Sequence, residues 1–227
     1  MEKPGKIYLA DQRGLIENPS IRRYSTFNFE SFFNEHQTAF QNLFIFNDDS
    51  VAAGKLNFYL AKENSLHLFM PITGGIDIVA KNNEFSVETG QVQLLSLEKG
   101  EVLEISNPYK EDVINYLHLG IINDFALVKD QLFSFDFESN PNKLIDIISG
   151  YKYPFKLTSG IFAGREEANY KLQEKSNSLF TFIIDGAFEI EGRLMHARDG
   201  LALWDTEDVE FEALSNNAIV VNLELFV

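Results

Sequence analysis

Ile72-Thr73-Gly74-Gly75-Ile76-Asp77-Ile78 and Ile184-Asp185-Gly186-Ala187-Phe188-Glu189-Ile190 are two versions of one pattern. In each, an apolar strand end meets a glycine turn and a second alternating strand. A further glycine and an apolar run follow both: Gly90 precedes Val92-Gln93-Leu94, and Gly200 precedes Leu201-Ala202-Leu203-Trp204. Both then reach an alternating segment, Glu101-Val102-Leu103-Glu104-Ile105 or Asp208-Val209-Glu210-Phe211-Glu212. Three matches in the same order and at nearly the same separation predict two copies of one small β-barrel.

The rest of the chain agrees with an all-β reading. Val209 to Leu214 and Val221 to Leu225 alternate apolar and polar residues, the period of a half-buried strand. Asp185-Gly186, Lys81-Asn82-Asn83, Asn107-Pro108 and Asn140-Pro141 are turn signals between such runs. Many short strands at this spacing predict sandwiches or barrels. Helical periodicity is scarce; Phe29 to His36 has room for two turns. The expected division is a first barrel over residues 1–125, a connecting segment over 126–142 and a second barrel over 143–227.

Composition narrows the chemistry. The 227 residues are 45% hydrophobic, enough for a core without cofactor or disulfide. With 21 Phe and one Trp, that core suits closed, dry interiors. Cysteine is absent, which excludes disulfides, cysteine-zinc sites and thiol catalysis. The net charge of -15 repels phosphate backbones, so no direct nucleic-acid partner is expected. Met1 to Lys6 lacks the apolar core of a signal peptide, and no apolar run has the length of a membrane span. A soluble, cytoplasmic protein with no membrane partner is the expectation.

Gly54-Lys55-Leu56-Asn57-Phe58-Tyr59-Leu60-Ala61-Lys62 carries a second kind of information. It has a glycine, five residues, then two alternate positions at Leu60 and Lys62, with Gly74 at the following hairpin. Downstream, Gly90 leads to Gly100-Glu101-Val102-Leu103-Glu104-Ile105-Ser106-Asn107. These spacings resemble the two motifs of the cupin superfamily. Asp11-Gln12-Arg13-Gly14, Tyr24-Ser25-Thr26-Phe27-Asn28-Phe29, Phe46-Asn47-Asp48-Asp49-Ser50-Val51-Ala52-Ala53-Gly54 and Asp199-Gly200-Leu201-Ala202-Leu203-Trp204-Asp205 resemble, more narrowly, the pirin family of double cupins. The resemblance spans nearly the whole chain. It implies a bicupin of two jelly-roll-like antiparallel barrels.

It also implies an iron-like metal in the first barrel, held by three histidines and one glutamate, and for some bacterial members an activity like that of quercetin 2,3-dioxygenases. Carried over residue by residue, the ligand positions fall on Leu60, Lys62, Leu103 and Ile105. Hydrocarbon has no donor atom, and a protonated lysine repels a cation. No metal, no cofactor and no catalytic residue is therefore expected. The expected pocket is Phe58, Leu60, Lys62, His67, Leu103, Ile105 and Asn107, taking a small apolar or anionic ligand. The resulting expectation is a non-catalytic binding or regulatory protein, with a protein partner also possible. The alternative is a metal-dependent dioxygenase of the quercetinase type, using iron or another divalent metal.

The histidines His36, His67, His118 and His196 are scattered, without a His-x-His pair. His67 takes the first-motif glutamate position under generic cupin spacing but not under pirin spacing. A lone strand histidine is usually a hydrogen-bonded structural residue. Lys62, if inward, is a candidate anion or Schiff-base site; otherwise its stem packs and its head is solvated. Asp48-Asp49 reads as a turn. The stretch from Asn169 to Asn177 is polar but holds no ligand cluster.

Overall fold

The computed structural model describes residues 3–122, 128–150 and 152–226. In chain order the strands begin with β1 (Gly5–Tyr8), β2 (Gly14–Glu17), β3 (Ile21–Ser25), β4 (Leu43–Val51), β5 (Leu56–Leu60), β6 (Ser65–Thr73) and β7 (Ile76–Ala80). Next come β8 (Asn83–Val87), β9 (Gln91–Leu97), β10 (Val102–Ser106), β11 (Ile114–Ile122), β12 (Gln131–Ser134), β13 (Ile145–Ile148) and β14 (Phe155–Phe162). The last are β15 (Glu167–Lys171), β16 (Ser178–Asp185), β17 (Ala187–Ile190), β18 (Arg193–His196), β19 (Gly200–Leu203), β20 (Asp208–Ala213) and β21 (Ala218–Leu225). One 3-10 turn, Ala10–Gln12, is the sole helical element among the described residues.

The chain forms two compact units, Arg13–Ser134 and a second made of Met1–Gln12 with Phe135–Val227. The first is a seven-stranded sheet, β12-β9-β6-β11-β4-β3-β2, with a four-stranded sheet, β5-β10-β7-β8. The second is a six-stranded sheet, β1-β19-β16-β21-β14-β13, with a four-stranded sheet, β15-β20-β17-β18. Strands β4 to β11 and β14 to β21 occupy corresponding places in the two patterns, as the repeated glycine hairpins predict. The described strand pairs are antiparallel; β7–β8 and β17–β18 are hairpins, whereas β4–β11, β6–β11, β14–β21 and β16–β21 join strands distant in the chain. Gly54 and Gly100 have φ of 62° and 93°, the left-handed turns that the motif glycines imply.

Each unit has its own apolar core. In the first, Ile76, Ile78, Leu95, Leu103 and Ile105 close against Phe69 and Tyr116. In the second, Phe162 meets Phe188 edge-on at 5.9 Å among Leu179, Ile183 and Leu201.

Three expectations are corrected. Residues 1–12 do not belong to the first barrel: β1 pairs with β19, Gly5 facing Leu203 and Tyr8 facing Gly200. The first barrel also runs past residue 125, because β12 pairs with β9; the expected boundary at 125/126 itself lies outside the described residues. Phe29 to His36 is not helical. Phe29 and Phe32 form a β-bridge, each backbone N–H bonding the other's carbonyl at 3.2 and 2.9 Å. Asn28 satisfies the Asn34 N–H at 2.7 Å, a local side-chain bond that competes with helix.

Candidate functional site

Two walls face the interior of the first barrel. On the smaller sheet, Tyr59 lies opposite Leu103, and Asn57 opposite Ile105. Pleating puts these four on one face, and all are buried, as is Ala61 at the end of β5. The intervening residues point out. Phe58 and Leu60 are 55% and 53% exposed, and Lys62 is exposed.

The expected pocket therefore divides. Leu103, Ile105 and His67 are buried inside. Phe58, Leu60 and Lys62 are on the outer face, so Lys62 is no interior anion or Schiff-base site. Asn107 is buried for a structural reason. Its amide donates to Val51 O at 2.9 Å and Asp112 O at 2.8 Å, and its Oδ1 accepts the Tyr109 N–H at 2.8 Å. It pins the turn after β10.

The larger sheet supplies a polar wall. Register sets Arg23 beside Asp49 and Asp49 beside Tyr116 in one row. The next row runs Ser25, Asn47, His118, Phe69. Arg23 and Asp49 form a bidentate pair, Nε–Oδ1 2.8 Å and Nη2–Oδ2 2.7 Å, with both side chains buried. Burial pushes the Asp49 carboxyl up while the guanidinium opposes the shift, and Arg23 stays protonated. Phe29 lies under the guanidinium at 4.8 Å, and Glu30 reaches it at 3.2 Å. Burial first, and the neighbouring Asp49 charge second, push the Tyr116 phenol up. Asp48 is not in a turn either: it pairs with Arg13 at 3.0 Å and accepts from Asn115 at 2.7 Å.

The sequence gives no sign that His67 and His118 are partners, yet their rings meet. His67 Nδ1 and His118 Nε2 are 2.9 Å apart, and His67 Nε2 is 2.8 Å from Ser65 Oγ. Phe69 stacks on His118 at 4.5 Å, and Tyr59 packs against both rings at 4.9 and 5.2 Å. Burial pushes His67 down to about 3 and His118 well below the usual range, so both are neutral near pH 7. β6 and β11 are adjacent nine-residue strands, and His67 and His118 share their inward parity.

The donor set does not fit the metal centre that the family resemblance implies. At the facing β5 and β10 positions stand an amide, a phenol whose ionisation burial delays to about 12, and two hydrocarbon chains. The two imidazoles direct nitrogens at each other. Among the described residues no three His, Cys, Asp or Glu side chains converge as metal ligands.

In the second barrel, the polar stretch around Asn169 to Asn177 serves a buried carboxylate. Glu224 accepts from Tyr170 Oη, Gln173 N and Asn177 Nδ2, each at 2.7 Å. On the outer face of its smaller sheet, a groove of about 410 Å³ is lined by Glu167, Glu189, Glu191, Glu210 and Glu212.

The duplicated strand order and the two enclosed cores define a double cupin. Residues 155–225 match the family described as the quercetinase C-terminal cupin domain, a pirin C-terminal family. The second barrel thus carries that family's C-terminal cupin domain. No curated protein matches it in sequence. Among solved structures, YhhW from Escherichia coli is similar with a TM-score of 0.85 and 17% identity, over 98% of this chain and 97% of that one. The bacterial pirin YhhW in complex with nickel(II) gives 0.82 and 16%, over 98% and 99%. Quercetin 2,3-dioxygenase from Acinetobacter baumannii gives 0.73 and 10%, over 100% and 87%. No helix among the described residues is long and apolar enough to cross a membrane.

Proposed function

We propose that this protein is a pirin-like bicupin whose first barrel works without the family's metal, as a non-catalytic binding or regulatory protein. One observation carries this reading. The four inward positions facing each other across β5 and β10 are Asn57, Tyr59, Leu103 and Ile105, and none offers imidazole or carboxylate. Divalent iron or nickel sites need such donors. The interior instead presents neutral hydrogen-bonding groups and one internally compensated ion pair, which suits a small uncharged molecule better than an apolar or anionic one. The protein is expected to be cytoplasmic, with no direct nucleic-acid partner and a protein partner as its regulatory outlet. Elemental analysis of protein purified without added metal tests the reading. Less than a tenth of an equivalent of iron, nickel, copper or zinc is expected; a stoichiometric amount that survives dialysis sinks it.

The second reading, a metal-dependent dioxygenase of the quercetinase type, draws on the match of residues 155–225 to a quercetinase domain family. Oxygen uptake with a flavonol, abolished by chelation, would establish it.

A further inference from the structure

We propose that the row Ser25, Asn47, His118 on the inner wall of the first barrel binds a neutral hydroxyl group, either water's or that of a small organic molecule. The hydroxyl donates to His118 Nδ1 and is held by the Asn47 amide. This rests on the reading of the barrel as a ligand site rather than a metal site, and it names the chemistry of that ligand.

Proton accounting locates the acceptor. Ser65 Oγ donates its single proton to Glu63 O at 2.9 Å, since a carbonyl can only accept. At its 2.8 Å contact with His67 it must therefore accept, and His67 Nε2 bears the hydrogen. A neutral imidazole has one N–H, so His67 Nδ1 holds a lone pair. The 2.9 Å contact then runs from His118 Nε2–H to His67 Nδ1. His118 has spent its only proton, so its Nδ1 carries a lone pair and can only accept. Neutrality of both rings follows from their complete burial among Tyr59, Phe69 and each other.

Beside that acceptor stand two groups that lack partners. Asn47 lies directly across from His118 on β4 and is 1% exposed, yet neither its Oδ1 nor its Nδ2 is hydrogen-bonded. Ser25, across from Asn47 on β3, is fully buried, and its Oγ has no partner. A buried polar group left unpaired loses its hydration without compensation, so the row favours a partner that restores the missing hydrogen bonds. An apolar occupant does not relieve that loss. An anion finds no free cation, because Arg23 is bound to Asp49 in the next row. A hydroxyl donates once and accepts twice, which matches a lone pair on His118, the Asn47 N–H and the Ser25 Oγ.

The test uses the full chain as purified. A crystal structure that orders internal waters is combined with long-range ¹H–¹⁵N correlation spectra of histidine-labelled protein at pH 8. Density bonded to Asn47 and His118 Nδ1 is expected, with His118 protonated at Nε2 and its Nδ1 resonance moved upfield by hydrogen bonding. A single spherical peak assigns the hydroxyl to water. Extended density, with one compound recovered in a denaturing methanol extract, assigns it to an organic ligand. Asn47→Leu should lose both the density and the Nδ1 shift, and Ser25→Ala serves if Asn47→Leu fails to fold. An empty row in the wild-type protein, or His118 protonated at Nδ1, overturns the proposal. Metal content of the same sample separates the two readings. Stoichiometric metal with the hydroxyl in place defeats only the metal-free barrel, whereas metal-free protein with an empty row defeats only this site.

Discussion

Acidification from pH 7.5 to 5.0 should destabilise the first barrel through its two buried histidines. His67 has a folded pKa of about 3, against 6.5 in the unfolded chain, and His118 is shifted in the same direction. The unfolded state therefore binds protons first as pH falls. The stabilising contribution is fully present above 6.5 and is lost progressively between 6.5 and about 3. Each histidine withdraws about 1.4 kcal/mol per pH unit in that window. By pH 5.0 this amounts to about 2 kcal/mol for His67, with His118 acting in the same direction, a large part of a typical folding free energy of about 5–15 kcal/mol. Asp49 cannot imitate the effect: burial raises its pKa, so its own titration favours the folded state on acidification. His36 and His196 are exposed. Urea unfolding, read by pulsed hydrogen exchange in peptides from β6 and β11, isolates this unit from the second barrel. The midpoint should fall steadily below pH 6.5 in the wild type and much less in a His67→Gln, His118→Phe double variant. A flat midpoint down to pH 5.0, or a double variant with the wild-type slope, refutes the placement of the two rings.

Three further outcomes are expected. Arg23→Met should cost about 3–5 kcal/mol in chemical denaturation by leaving Asp49 buried without its cation, and adding Asp49→Leu should recover much of the loss. Installing Asn57→His, Tyr59→His, Leu103→His and Ile105→Glu together should give about one equivalent of nickel(II) by calorimetry. Replacing the first two changes by Leu60→His and Lys62→His should give none, because those side chains lie on the outer face. Lys62→Met should change stability by less than about 0.5 kcal/mol in thermal unfolding, as for other exposed positions.

The scaffold was readable because it is written in glycine turns and in a repeat, both of which survive any choice of side chains. Gly54 and Gly100 are left-handed, and the hairpins at Gly74 and Gly186 join corresponding strands. The phase of β5 was not readable, and the reason is physical. A strand has only two faces, so one residue of slip exchanges them completely. In Leu56-Asn57-Phe58-Tyr59-Leu60 the more apolar set is Leu56, Phe58 and Leu60, and hydrophobicity alone sends it inward. The chain does the opposite. Leu56, Phe58 and Leu60 stay 41–55% exposed while Asn57 and Tyr59 are buried. The polar wall accounts for this inversion. Asn57 reaches the Tyr116 phenol at 3.5 Å, and Tyr59 covers the His67–His118 pair; leucines at those places would face polar groups without partners.

That wall was invisible for a related reason. Arg23, Asp49, Tyr116 and His118 come from three strands, and each looks ordinary in its own segment. Asp48-Asp49 reads as a turn because two adjacent acids rarely sit in a strand. Here pleating sends one to Arg13 and the other to Arg23. The run resembling the pirin lead-in, Phe46 to Val51, is thus the strand that supplies Asn47 and Asp49 to the interior. A barrel that merely filled a vacated metal site with core would have no use for a fully buried histidine pair, an internal ion pair and an unpaired amide in adjoining rows. Apolar residues of similar volume would be as stable or more so. Polar groups kept at that cost, all on the inner face of one sheet, are what motivates the proposal of a polar ligand in the first barrel rather than a refilled core.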